Sequence, residues 1–353
     1  MSNNRTFLLF ALMMNNASSL LTFTDKGIYC PKADIYIDPW KQVERALITH
    51  GHSDHARWGH GHYLCTASAA PVIRHRLGQV NMQTVSYAEQ IRHRGVTFSF
   101  HPAGHIVGSA QIKVAYKGET WVVSGDYKLQ DDGVAEPFEP VPCHAFITEC
   151  TFGLPVYRWH AQSEVLAEIN RWWRENRAAG KVSVLGAYAL GKAQRVLAGL
   201  DPSIGTIYTH GAVENTNEVL RQQGIDLPPT TRVTADIPRK SFIGAMVIAT
   251  PSALGSNWMK KFKPVATGMA SGWMALRGTR RRRAVDRGFV LSDHADWAGL
   301  NTAIAETGAQ RVFSTHGYTH IFARWLKEQG YEAAAVETAF EGEVDDDKEQ
   351  AEA

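Results

Sequence analysis

The sequence is poor in cysteine. Its 353 residues contain only Cys30, Cys65, Cys143 and Cys150. No two of them form a Cys-x-x-Cys pair, which argues against a cysteine-based zinc knuckle and against a disulfide framework. Free thiols are typical of a reducing compartment, so we expect a cytoplasmic protein.

Long apolar runs are also missing. No segment reaches the roughly 20 apolar residues that a membrane-spanning helix needs, so we expect no membrane partner. The short apolar run at residues 7–14 resembles a signal peptide only loosely, because it is short and follows a single arginine. We therefore interpret residues 1–19 as an N-terminal extension, or as a first strand.

A strong net charge is absent as well, since the formal charge is only +2. The bulk composition therefore gives no argument for a polyanionic partner. The local distribution is more informative. Residues 341–353 are acidic and lack large apolar groups, which predicts a disordered tail. Residues 277–287 contain the densest positive run of the chain.

Against these absences, potential metal ligands are dense in one short segment. His50, His52, Asp54 and His55 lie within six residues and directly follow an apolar run that predicts a strand. Imidazole and carboxylate groups together suit Zn²⁺ or a similar metal. One tetrahedral ion can hardly accept four ligands from so short a loop, so two adjacent ions fit better. A two-metal site is typical of hydrolases.

Three further ligand-type residues have the same setting. His105, Asp126 and His316 each follow a strand-like segment and stand beside a glycine, where the backbone can turn tightly. With the first four, they make a set of seven candidate ligands.

The alternation of predicted elements divides the chain. Short strands dominate residues 20–126, whereas helices at 162–179 and 191–200 alternate with strands at 182–185 and 206–209. Strand-like segments that lead to a histidine, His294 and His316, return at 288–294 and 311–317. We infer a first domain that is interrupted by an inserted α/β unit with a parallel sheet.

The motifs resemble those of a known superfamily. His-x-His-x-Asp-His, Ala-Gly-His105 and Ser-Gly-Asp126 are similar to the motifs of the metallo-β-lactamase superfamily, and Asp38 in Tyr-Ile-Asp-Pro matches its short aspartate motif. Glu149 in Ile-Thr-Glu-Cys-Thr and His294 in Ser-Asp-His-Ala-Asp resemble motifs of the nucleic-acid-processing β-CASP branch. Thr-His316-Gly and the segment 189–195 also resemble parts of that branch. The resemblance covers about residues 20–337 and is greatest to bacterial DNA-ligase-associated exonucleases, which are Artemis-like.

The resemblance implies an α/β fold in which a metallo-β-lactamase αββα sandwich is interrupted by an inserted α/β β-CASP domain. The implied organisation is an N-terminal extension (1–19), a first part of the metallo-β-lactamase domain (20–155), the β-CASP insert (156–287), a second part of the first domain (288–340) and an acidic disordered tail (341–353).

The resemblance also implies roles for the site residues. One divalent ion, Zn²⁺ or alternatively Mn²⁺, would be held by His50, His52 and His105, and a second by Asp54, His55 and His316. Asp126 would bridge them, and Asp38 would fix a ligand or the loop. His294 would be the general acid, oriented by Glu149, and Asp54 is predicted to be catalytic as well as a ligand.

The function that this implies is a metal-dependent DNA nuclease in DNA end processing or repair, with exonuclease as the expected mode. By the resemblance alone, its partners would include an ATP-dependent DNA ligase and a helicase. The expected phosphate contacts are Lys192, Arg195, Arg280, Arg281, Arg282 and Arg283.

Three alternatives stay open. A ribonuclease of the same fold is the main one, because a histidine in the last motif, here His316, is associated more with RNA enzymes. A small-molecule hydrolase and a binding module without metals are disfavoured by the Glu149–His294 pair and by the complete ligand set.

Overall fold

The computed structural model describes residues 19–282, 285–336 and 338. The predicted N-terminal extension, apart from its last residue, and the predicted acidic tail lie outside the described residues. Within the described part of the chain, no helix is long and apolar enough to cross a membrane.

The N-terminal part forms a six-stranded sheet whose spatial order follows the sequence. The strands are β1 (Thr22–Thr24), β2 (Gly27–Cys30), β3 (Ile35–Ile37), β4 (Arg45–Leu47), β5 (His62–Thr66) and β6 (Met82–Val85). Pairing is antiparallel from β1 to β3 and parallel from β3 to β6. Helix α1 (Ala70–Leu77) makes the crossover between β5 and β6 and packs on the outer face of this sheet.

A second sheet has seven strands and takes its members from both ends of the described chain. They are β7 (Ile91–His93), β8 (Val96–Pro102), β9 (Ala110–Tyr116), β10 (Glu119–Val123), β11 (Ala145–Glu149), β18 (Arg311–Thr315) and β19 (Glu332–Ala335). The spatial order is β19-β18-β11-β10-β9-β8-β7. Every residue of β11 is buried, because this central strand is covered on both faces.

The two sheets pack face to face. Ile37 and Leu47 of the first sheet and Phe98, Ile112 and Ile147 of the second belong to one apolar core. Helices α7 (Trp297–Thr307) and α8 (Thr319–Glu328) cover the outer face of the second sheet with leucine, isoleucine and phenylalanine side chains. The layer order is helix, sheet, sheet, helix, consistent with the metallo-β-lactamase sandwich that the sequence predicts.

The insert contains a six-stranded, wholly parallel sheet in the order β14-β13-β15-β12-β16-β17. Its strands are β12 (Val182–Gly186), β13 (Ile207–Thr209), β14 (Thr231–Arg232), β15 (Met246–Ala249), β16 (Val265–Ala270) and β17 (Arg287–Phe289). Its helices are α2 (Gln162–Ala178), α3 (Lys192–Ala198), α4 (Gly211–Gln222), α5 (Pro251–Leu254) and α6 (Arg277–Arg282). Three 3₁₀ turns lie at Arg239–Phe242, Asn257–Lys261 and Gly272–Ala275. Apolar clusters on both faces bury this sheet, which is consistent with a β-CASP-like unit.

The end of the insert differs from the sequence prediction by two residues. We expected the sandwich to resume at residue 288, but Gly288 pairs with Met269 and Phe289 with Ala270 in the parallel sheet of the insert. The insert sheet therefore extends to Phe289. The run 288–291 begins with Gly288, but this glycine lies within strand β17 and marks no turn, so only the strand pairing locates the boundary.

The insert and the sandwich share a core. Val72 of α1, with Ile106 and Val107 of the loop before β9, belongs to the same buried cluster as Leu190 and Ala193 of the insert. This shared core brings the start of α3 against the loop that follows β4.

Candidate metal centre

The loop after β4 is held by Asp38. The Thr49 backbone N–H donates to Asp38 Oδ1 at 2.8 Å, and the Thr49 hydroxyl donates to Asp38 Oδ2. The same Oδ2 lies 2.7 Å from His55 Nδ1. Asp38 therefore fixes both the entry of the loop and the ring of a predicted ligand, and it leaves His55 Nε2 facing the other candidate ligands.

One group of candidate ligands consists of His50, His52, His105 and Asp126, whose ligand atoms all lie within 4.8 Å of one another. His52 Nδ1 lies 3.2 Å from His50 Nε2 and 3.0 Å from His105 Nε2. The outer nitrogens of two of these rings donate to backbone carbonyls: His52 Nε2 to Leu190 at 3.1 Å and His105 Nδ1 to Asp293 at 2.9 Å. Each bond selects the tautomer whose lone pair faces the group.

A second group consists of Asp54, His55 and His316, also within 4.8 Å. Asp54 Oδ2 lies 3.7 Å from His55 Nε2 and 3.9 Å from His316 Nε2. His316 has a φ of 56°, a left-handed conformation that a non-glycine residue adopts at an energetic cost. Backbone strain of this kind is found at sites that the surrounding structure forces into one geometry.

Asp126 lies between the two groups. Its Oδ2 is 3.5 Å from His50 Nε2 and 3.4 Å from His55 Nε2, and its Oδ1 is 4.0 Å from His316 Nε2. Gly125 has a φ of 58°, and a Cβ there would lie 2.8 Å from Thr49, so only glycine allows this approach. The structure thus places the Asp126 carboxylate between the two candidate ligand groups.

The residues fit divalent ions by their chemistry. Among the described residues, Asp126 Oδ1 is buried and has no hydrogen-bond partner, an arrangement that is costly unless something else pairs with it. Burial lowers the pKa of His50, His105 and His316, which favours the neutral imidazole that a metal requires. Nitrogen and carboxylate donors in two adjoining groups suit two ions of the zinc type.

Three carboxylates surround His55. Burial opposes its charged form, but Asp54, Asp126 and Asp38 together raise the pKa of His55 well above its ordinary value. Burial likewise opposes ionisation of Asp126, but His55 and His316 hold the pKa of that carboxyl well below its usual range. These shifts show that the three carboxylates favour a positive charge at the position of His55.

His294 and Glu149 form a buried pair beside this centre. His294 Nδ1 lies 2.9 Å from Glu149 Oε1 and 3.0 Å from Oε2, and the carboxylate also accepts the backbone N–H groups of Tyr127 and Thr151. One ligand atom each of Asp126, Glu149 and His294 falls within a further 4.8 Å group. The structure therefore brings the predicted acid and its orienting carboxylate to the predicted metal ligands.

The expectation that Lys192 and Arg195 contact phosphate is not supported, because both side chains are buried and paired. Lys192 Nζ lies 3.4 Å from Asp293 Oδ2, and Arg195 Nε lies 3.1 Å from Asp293 Oδ1. Arg195 Nη2 also lies 2.7 Å from Asp132 Oδ2 and donates to the His105 carbonyl at 3.1 Å. These charges join helix α3 to the sandwich and are not presented to a substrate.

The other predicted phosphate contacts lie in or beside helix α6. Arg281 is exposed, Arg280 and Arg282 belong to the helix, and Arg283 lies outside the described residues. A phosphate contact at Arg281 stays a prediction.

Sequence reasoning missed the groups that support the ligands. The carbonyls of Leu190 and Asp293 carry no side-chain signature, so no motif could indicate them. Lys128 is buried, and its Nζ donates to the Ser292 carbonyl; burial and the neighbouring Arg195 lower the pKa of Lys128 well below its ordinary value. Only its place two residues after Asp126 could have drawn attention to it.

Comparisons with known proteins indicate relatives that cleave or join nucleic acids. No protein-family model matches the chain. A protein of Opitutus terrae named probable DNA ligase is 34% identical over 316 residues, which are 88% of this chain and 30% of that protein. Endoribonuclease YSH1 of Candida glabrata is 28% identical over 124 residues, 34% of this chain and 16% of its own. An RNase J-like protein of Methanocaldococcus jannaschii is 23% identical over 221 residues, 58% and 47% of the two chains.

One solved structure supports the fold alone. A protein of unknown function from Enterococcus faecalis V583 superposes with a TM-score of 0.58 at 12% identity, over 83% of this chain and 79% of that one. The chain spans less than half the length of each of the three curated relatives named above. By sequence, the chain is similar to proteins named for DNA joining and for RNA cleavage, and it carries a buried histidine and aspartate centre of the binuclear type.

Proposed function

We propose that the chain is a metal-dependent nuclease of the metallo-β-lactamase and β-CASP type, which hydrolyses phosphodiester bonds in DNA, with exonuclease as the expected mode. The observation that carries the proposal is the position of Asp126 between two ligand groups, with the Glu149–His294 pair next to it. Two ions alone suit many hydrolyses, whereas a separate proton donor suits a reaction whose leaving group is an alkoxide.

In this proposal His50, His52 and His105 would hold one ion, Asp54, His55 and His316 would hold the other, and Asp126 would be available to both. When bound, the two ions supply Lewis acidity for the phosphoryl oxygens and lower the pKa of water enough for attack near neutral pH. Zn²⁺ fits this donor set, and Mn²⁺ is the alternative to test.

The remaining steps belong to the protein. His294 donates its proton to the leaving sugar oxygen, and Glu149 holds the imidazole by its Nδ1 so that Nε2 is the proton-donating atom. Asp38 and the carbonyls of Leu190 and Asp293 keep the ligand rings in fixed tautomers.

DNA is favoured as the substrate by the most extensive of the similarities described above, to the protein named probable DNA ligase, which covers 88% of this chain. We further propose that the chain acts in DNA end processing together with a DNA ligase. The protein named probable DNA ligase resembles this chain over only 30% of its own length, so most of that protein lies outside the similar part. A helicase partner rests on the family resemblance alone.

RNA is the second candidate substrate. The relatives named endoribonuclease and RNase J-like favour it, as does the histidine at position 316. A ribonuclease would use the same centre, so the centre does not distinguish the two substrates.

The experiment that tests the proposal is digestion of end-labelled DNA and RNA oligonucleotides of matched sequence, single- and double-stranded, with Zn²⁺ and Mn²⁺ titrated in. The Asp126→Asn variant is the control for contaminating nucleases. We expect metal-dependent release of short products from DNA. Faster cleavage of the matched RNA would make the ribonuclease the better assignment, and equal cleavage by the variant would refute both.

A further inference from the structure

A cavity of about 490 Å³ adjoins the metal centre where the insert meets the sandwich. Its walls include Ser53 and Arg76 from the sandwich and Leu190, His210, Arg232 and Trp258 from the insert. Ser53 stands between the candidate ligands His52 and Asp54, and the Leu190 carbonyl contacts His52. The cavity therefore opens directly beside the loop that carries the ligands.

The charge of the cavity suits an anion. Among the described residues that line it, two are arginines and none is a carboxylate. Arg76 Nη1 donates to the Gly51 carbonyl at 2.7 Å, so this cation also holds the ligand loop. Arg232 contacts Asn215 and Glu218 through Nη2, while its Nη1 faces Gly211 in the cavity wall. The Nη2 contacts thus hold the guanidinium of Arg232 in position, and its Nη1 lies beside the cavity.

An aromatic surface lies in the same cavity. The Trp258 ring is half-buried and is held at 5.0 Å from the His210 ring and 4.6 Å from the Phe262 ring, both in edge-to-face geometry. A fixed indole with an accessible portion is a surface on which a base can stack, regardless of sequence. The cavity thus offers a cation for the phosphate of a nucleotide and an indole for its base.

We propose that this cavity binds one unpaired nucleotide of the substrate, with its base against Trp258 and its phosphate at Arg232. The inference rests on the proposed function and deepens it, because it assigns the neighbourhood of the reacting bond to a single strand. The volume falls in the range of about 300–1,000 Å³ that small-ligand sites have, which suits a ligand of the size of one nucleotide.

The test is calorimetric titration of the full-length, metal-loaded protein with deoxyadenosine 5′-monophosphate, with deoxyadenosine and inorganic phosphate as partial probes. We expect the monophosphate to bind more tightly than either partial probe. Trp258→Ala should weaken its binding about tenfold, whereas Trp258→Phe, which keeps a stacking ring, should stay within about threefold. Arg232→Gln should weaken the monophosphate and leave the nucleoside unchanged.

Thermal unfolding of each variant controls for folding, and the phenylalanine variant keeps the test valid if the alanine variant is unstable. Equal binding by the wild type and a folded Trp258→Ala variant would overturn the proposal, because the phosphate would then be held at the metals. Absence of binding to the wild type would overturn it too. Failure of the proposed function is distinguishable, since it would appear as nucleotide binding that depends on Trp258 without any metal-dependent cleavage.

Discussion

Arg195 of the insert forms an ion pair with Asp293 of the sandwich, with 3.1 Å between Nε and Oδ1, and both side chains are buried. The backbone carbonyl of the same Asp293 accepts the Nδ1 proton of His105, a candidate metal ligand. Asp293 thus binds Arg195 of the insert through its side chain and orients the candidate ligand His105 through its backbone carbonyl. The geometry of the centre therefore depends on the insert being docked.

We expect Arg195→Gln to destabilise the protein by about 3–5 kcal/mol, because it removes the guanidinium from the buried carboxylates of Asp132 and Asp293, of which Asp293 keeps Lys192 as a cationic partner. Urea unfolding measures this loss. Metal content, determined by elemental analysis, should fall as well, since His105 loses its support.

Arg281→Gln is the matched control, because Arg281 is exposed. Its free energy of unfolding should stay within about 0.5 kcal/mol of the wild type. Its affinity for oligonucleotides should fall and become less dependent on salt, if the phosphate contact exists. If Arg195→Gln had the free energy of unfolding of the wild type and an oligonucleotide affinity that depended less on salt, Arg195 would instead be a phosphate contact.

Asp126→Asn should remove at least one of the two ions and abolish cleavage, because a neutral amide cannot replace a carboxylate between two cations. Elemental analysis measures the ions, and circular dichroism measures the fold, which should be retained. Asp131→Asn, at an exposed position, should keep both the ions and the activity. Two ions per chain in the Asp126 variant would disprove the bridging role.

His294→Gln should lower kcat about 10²–10⁴-fold while both ions stay bound, because general acid catalysis contributes about that factor. A nitrophenyl phosphodiester, whose leaving group needs no proton, distinguishes this role from a structural one. The loss on that substrate should be much smaller than the loss on an oligonucleotide. Equal losses on both substrates would exclude His294 as the proton donor.

A fourth prediction concerns His60, whose pKa is lowered to about 4 by burial. Between pH 6.5 and pH 4 this histidine is protonated in the unfolded chain and neutral in the folded chain. The contribution of His60 to the free energy of unfolding is therefore fully present above pH 6.5 and is lost as the pH falls toward 4. The loss at this site is roughly 3 kcal/mol.

Urea unfolding at pH 7.5 and pH 5 should therefore show a smaller difference for His60→Gln than for the wild type. His160→Gln is the control, because His160 is exposed. The same pH dependence in the wild type and in His60→Gln would show that the buried imidazole is not responsible.

Much of the site was predictable because its ligands follow strands, and apolar runs predict strands well. The strand ends after β4, β8, β10 and β18 deliver ligands as the sequence indicates. The Lys192 and Arg195 prediction failed because sequence gives the charge of a side chain and not its burial. Their partners, Asp132 and Asp293, are distant from Lys192 and Arg195 in the sequence, so no local pattern indicates the pairing. The boundary at Phe289 was missed for a similar reason, since β17 joins a sheet whose other strands are distant in sequence.

The division of the ligand groups along the chain has a consequence for the newly synthesised protein. His50, His52, Asp54 and His55 leave the ribosome early, whereas Asp293, His294 and His316 leave only after the whole insert. His316 of the second ligand group and the proposed proton donor His294 are therefore synthesised after the other candidate ligands. The candidate centre can therefore assemble only after the insert has been synthesised, so its folding depends on residues from both ends of the described chain.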